Sequence, residues 1–166
     1  MTDQLAALNQ LPDEQARAEL RTCCASTRWA AEVAARRPYP HRDLLMNVSD
    51  AALAVLSWDD VLEALAAHPR IGQRVTGGDR ESAWSRREQS GMDDAADDVR
   101  AALAEANADY EERFGHVFLI FASGRSDVEM LAAARERLGN DETAERRVVH
   151  GELTRIVRLR LERLFG

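Results

Sequence analysis

The sequence predicts an all-α chain, a single-domain bundle of about seven to eight helices. Three observations predict it. Alanine and leucine are abundant while aromatic residues make up only 5% of the chain, which favours helix over sheet. Apolar residues recur at helical intervals through most of the sequence. Capping and breaking residues cut it into segments close to the usual helix length of about 11–12 residues. At 166 residues the chain has the length of one domain and buries roughly 70% of its unfolded surface, so residues 1–166 are read as one unit.

The elements follow in order. A start near Thr2 leads into Leu5, Leu8 and Leu11, and Pro12-Asp13-Glu14 opens a second segment through Leu20 and Cys24. A third piece holds Trp29 and Val33 and stops before Pro38-Tyr39-Pro40; the next carries Leu44, Leu45 and Val48. Ser57-Trp58-Asp59-Asp60 has capping-box spacing, with Val61, Leu62 and Leu65 following at helical intervals. That helix is expected to end at His68, because a proline follows. Residues 74–80 contain Gly77-Gly78 and read as a loop, before a helix from about Ser85 to Gly91. A longer helix runs from about Ala95 to Phe114, with Val99, Leu103, Ala106 and Tyr110 on one face. Val117 to Ala122 is a short apolar run that fits either a strand or a buried extended loop. Ser126-Asp127-Val128-Glu129 caps a helix to Leu138, and Gly139-Asn140 separates it from a last helix, about Asp141 to Leu164. Its apolar stripe is Val149, Leu153, Ile156, Val157 and Leu161.

Composition excludes several functions. A formal net charge of −7 argues against a general nucleic-acid binder, which needs a basic surface. No apolar run approaches the ~18 residues of a membrane span, and neither a secretory start nor a Ser-Lys-Leu peroxisomal ending is present. The adjacent Cys23 and Cys24 fit two plain thiols in a reducing cytoplasm. All 22 basic residues are arginine; without lysine the chain forms no Schiff base to a substrate carbonyl or to pyridoxal phosphate.

Among the histidines His41, His68, His116 and His150, none has a zinc-enzyme spacing, so no metal is expected. Nucleotide-binding and nucleophile-elbow motifs are also missing, and no cofactor is expected. His68, ahead of Pro69-Arg70-Ile71-Gly72, reads either as a helix-end histidine favoured by the dipole or as a general acid–base at a cleft. Ser85, Glu88 and Gln89 stand at i, i+3 and i+4 and share one helical face. They read either as a capping box or as the polar lining of a pocket. Arg160 reads as a surface charge on the last helix or as a carboxylate fork.

Together these residues carry a resemblance. His68-Pro69-Arg70-Ile71-Gly72 and Ser85-x-x-Glu88-Gln89-x-Gly91 resemble the two signature motifs of the 2-oxo-4-hydroxy-4-carboxy-5-ureidoimidazoline (OHCU) decarboxylase family. Three further blocks agree in order: Asn107-x-x-Tyr110-x-x-x-Phe114-Gly115-x-x-Phe118, then Ser123-Gly124-Arg125-Ser126, then Ile156-x-x-Leu159-Arg160-Leu161. The resemblance implies an all-helical, cofactor-independent enzyme, usually a homodimer, that decarboxylates OHCU to (S)-allantoin at the end of urate breakdown. It implies that His68 is catalytic with Glu88 beside it, and that Pro69, Ser85 and Gln89 contact the substrate. It also implies that main-chain groups of Phe118, Leu119 and Ile120 meet the ring and that Arg160 meets its carboxylate or carbonyl oxygens. A stand-alone cytoplasmic form is the expected setting. Two other readings compete: a hydrolase acting on a related cyclic ureide, and a helical ligand-binding module without turnover.

Overall fold

The computed structural model describes residues 3–71, 84 and 97–166. Among them it is all-α, with eight helices and no strand. In chain order these are α1 (Gln4–Gln10), α2 (Asp13–Arg21), α3 (Thr27–Ala35), α4 (Arg42–Ala54), α5 (Trp58–Leu65), α6 (Asp97–Phe114), α7 (Asp127–Arg137) and α8 (Glu142–Phe165). The chain divides into two compact units, one of Met1–Ala64 with Thr154–Gly166 and one of Leu65–Leu153. No described helix is long and apolar enough to cross a membrane.

In the first unit, α2 packs on α3 and α3 on α4. Leu8, Leu20, Trp29, Val33, Leu45, Leu53, Val157 and Leu161 are all buried. The one polar atom of the Trp29 ring, its indole N–H, donates to Ser49 Oγ at 3.1 Å, which makes burial of so large a side chain affordable. Helix ends are closed by side chains. Asp3 caps α1, Ser26 caps α3 and His41 caps α4. Arg37 Nη1 reaches the carbonyls of Leu8 and Leu11 at 2.8 and 2.7 Å, at the C-terminal end of α1, where a cation also meets the negative end of the dipole. Asn9 and Tyr39 exchange two bonds of 2.8 Å, and the Tyr39 hydroxyl donates to the Val33 carbonyl at 2.6 Å. The expected box before α5 is present in both directions, Ser57 N–H to Asp60 Oδ2 and Asp60 N–H to Ser57 Oγ, each at 3.2 Å. The Ser57 hydrogen bond holds the Asp60 carboxyl below its usual range.

Two helix ends fall short of their expected places. α2 ends at Arg21, leaving Cys23 and Cys24 beyond it, both buried and unbridged. α5 ends at Leu65 rather than at His68. Pro69 has no N–H for the Leu65 carbonyl four residues back, and the residue before a proline is pushed away from helical angles. The chain therefore tightens, and the Leu65 carbonyl accepts from His68 N–H at 2.9 Å instead.

The second unit is organised by α6, which packs on α7. Leu103, Ala106 and Tyr110 of α6 share a core with Ile71, Phe118, Ile120, Met130 and Ala134, and Val99 packs against its edge. The apolar run after α6 is a largely buried loop rather than a strand, entered through Gly115 at φ +79°, an angle that favours glycine. The expected loop at 74–80 and the expected helix from about Ser85 to Gly91 lie outside the described residues, although Trp84 just before it is helical and buried.

Candidate active site

Two segments singled out in the sequence, residues 68–71 and 117–122, both pack on α6 within the second unit. His68 and Pro69 are half-buried in the bend that follows α5. Beyond them the chain is gripped twice by α6. Arg70 Nε lies 2.9 Å from each carboxylate oxygen of Glu111, and Asn107 Nδ2 donates to the Ile71 carbonyl at 2.7 Å. Asn107 and Glu111 are one turn apart, so a single helical face makes both contacts. The ion pair is partly solvated and contributes at most about 1 kcal/mol. The Asn107 bond is buried, and losing it leaves an unsatisfied carbonyl at a cost of about 1–3 kcal/mol.

Phe118, Leu119 and Ile120 are 1, 3 and 3% exposed. Among the described residues no strand pairs with their backbone, and buried side chains serve it. Arg137 Nη1 donates to the Leu119 carbonyl at 2.7 Å, and Glu152 Oε2 accepts from Phe121 N–H at 3.2 Å. The guanidinium of Arg137 lies over the Phe118 ring at 4.5 Å and forks onto Glu145, with Nε 3.1 and 2.9 Å from its oxygens and Nη2 at 2.6 Å. Asn140 Nδ2 and the Tyr110 hydroxyl also donate to Glu145. Burial, with this carboxylate as acceptor, pushes the Tyr110 phenol well above its usual pKa. The Tyr110 ring meets Phe118 edge-on at 5.2 Å and His116 at 5.5 Å. Arg125, from the fourth resembling block, lies 3.9 Å from Glu152.

Arg160 belongs to the first unit. It is fully buried and donates from Nη1 to the Cys23 carbonyl at 3.3 Å, which rules out the surface-charge reading. Ser85, Glu88 and Gln89 lie outside the described residues, and with them the expected pairing of Glu88 with His68. Sequence reasoning missed Arg137, Glu145 and Glu152. A signal existed: Arg137 stands in phase with buried Met130 and Ala134, and Glu145 and Glu152 with buried Val149, Leu153 and Ile156.

Comparison with known proteins agrees with the motifs. The family model described as OHCU decarboxylase matches residues 9–162. The uric acid degradation bifunctional protein of Arabidopsis thaliana is 32% identical over 89% of this chain, which spans only 47% of that relative's length. The 2-oxo-4-hydroxy-4-carboxy-5-ureidoimidazoline decarboxylase of Amia calva is 33% identical over 80% of this chain and 77% of its own. Among solved structures, OHCU decarboxylase in the presence of (S)-allantoin superposes with a TM-score of 0.78 at 30% identity, covering 89% of this chain and 96% of that one. The chain belongs to the OHCU decarboxylase family.

Proposed function

We propose that this chain decarboxylates OHCU to (S)-allantoin and carbon dioxide in urate degradation. The observation that carries the reading is the family match from residue 9 to 162, which covers most of both compact units and supports treating 1–166 as one OHCU-decarboxylase-like domain. Breaking the bond to the carboxylate leaves an electron pair that needs a sink. Other decarboxylases obtain one from thiamine, pyridoxal phosphate or a lysine imine, and this chain has no lysine. The substrate ring holds a carbon–nitrogen double bond that accepts the pair. The protein then has to orient the ring and deliver a proton to one face.

In this reading His68 is the proton donor, with Glu88 tuning or orienting it. Its half-buried bend is fixed on one side by Pro69 and on the other by the Arg70 and Ile71 contacts to α6. Pro69, Ser85 and Gln89 contact the substrate, the main chain at 118–120 meets the ring, and Arg160 takes its carboxylate or carbonyl oxygens. The full burial of Arg160 supports a task for its fork, since an arginine charge removed from water costs energy. The enzyme acts without a cofactor, as a homodimer in the cytoplasm; two buried unbridged thiols fit that setting.

The test follows the product of freshly generated OHCU by circular dichroism together with carbon dioxide release, with allantoin as a parallel substrate. Carbon dioxide release matched by (S)-allantoin supports the reading. Ring opening of allantoin without carbon dioxide would instead identify a cyclic-ureide hydrolase, and neither reaction would leave a ligand-binding module.

A further inference from the structure

The backbone at residues 118–120, which the proposed function sets against the substrate, is held by a charged side chain of α7. We propose that Arg137, locked by Glu145, is a positioning residue that sets this main chain in the form that receives substrate. The proposal rests on the decarboxylase reading above. Two main-chain groups of this stretch are held by buried charged side chains, the Leu119 carbonyl by Arg137 and the Phe121 N–H by Glu152. With those two groups taken, the main-chain groups assigned to substrate in this proposal are those of Phe118 and Ile120.

Arg137 meets three demands at once. Nε and Nη2 fork onto Glu145, Nη1 reaches the Leu119 carbonyl at 2.7 Å, and the flat face covers Phe118 at 4.5 Å. A lysine offers neither the planar face nor separately directed donors. A buried ion pair adds little stability over packed apolar side chains of similar volume, so geometry is what this arrangement supplies.

The experiment measures KM and kcat for OHCU, and the Kd for (S)-allantoin, on folded Arg137→Lys and Glu145→Gln. Ser49→Ala, which removes the acceptor of the buried Trp29 N–H, is the control for destabilisation alone. We expect Arg137→Lys to raise KM and Kd about tenfold or more with kcat within about threefold, the pattern of lost ground-state binding. Ser49→Ala should lower the melting temperature and leave both constants unchanged. If Arg137→Lys does not fold, Glu145→Gln carries the same readout. A folded variant with wild-type KM and Kd overturns the proposal, as does failure of both variants to fold, which would make the network a folding determinant only. Inactive wild-type protein sinks the decarboxylase reading itself, an outcome distinct from an active wild type with unmoved variants.

Discussion

The Asn107 amide donates to the Ile71 carbonyl at 2.7 Å, and this buried bond ties the segment carrying His68 to α6. Its loss should register twice. Asn107→Ala leaves the carbonyl unsatisfied, and unfolding in urea should show a loss of about 1–3 kcal/mol. Because the bond lies three residues from His68, turnover of the folded variant should fall as well, since small misplacements of the proposed proton donor are costly. A stability loss with unchanged turnover would show that the segment keeps its place without this bond.

Arg160→Lys keeps the charge and loses the fork. With the side chain fully buried and the proposed two-point contact to the ring lost in ground and transition states alike, substrate affinity should drop, visible as a higher KM. Wild-type kinetics in the lysine variant would remove Arg160 from the site.

The chain has two tyrosines, and both are fully or nearly fully buried. Burial pushes Tyr39 up from 10.0 to about 12, and Tyr110 is raised further in the same direction. The folded protein thus holds these protons more tightly than the unfolded chain. The resulting stability is fully present below about pH 10 and is lost as pH rises through about 12. Absorbance of tyrosinate should stay flat through pH 10 and then rise together with the loss of helical circular dichroism. A titration midpoint near 10 in folded protein would contradict the packing described for both rings.

Much of this architecture was legible in the sequence because capping chemistry is local. The Ser57–Asp60 box and the Ser126 cap act over three residues, so short stretches determine where α5 and α7 begin. The expected end of α5 lies three residues too late because the proline acts backwards, through the Leu65 carbonyl four residues before it, and not only on the residue before it. For Val117 to Ala122 the apolar run disclosed burial but not form; side chains distant in sequence, Arg137 and Glu152, serve its backbone in place of a strand. For His68 and Arg160 local chemistry left two readings open, and the motif resemblance favours the functional one; Pro69 is named through the resemblance alone. Arg137, Glu145 and Glu152 are polar residues in phase with apolar stripes, and an inventory of apolar positions alone passes over them although their phase marks them as buried.

Turnover should survive prolonged chelation and need no added coenzyme, since the sequence carries no metal or cofactor spacing and the substrate ring supplies the electron sink. The check is the rate after dialysis against a strong chelator. Activity lost and then restored by one divalent ion would overturn the mechanistic class.

In the proposed mechanism His68 delivers the proton. General acid–base help is typically worth about 10²–10⁴-fold, so His68→Ala should cut carbon dioxide release and (S)-allantoin formation by that order. Its helical circular dichroism should persist, because His68 is only half-buried and lies outside the core cluster. The decisive measurement follows carbon dioxide and allantoin chirality together on freshly generated OHCU. The folded His68→Ala protein should give residual product that approaches the racemic outcome of the unassisted reaction in water. A folded variant that still makes one enantiomer at near wild-type rate would contradict it.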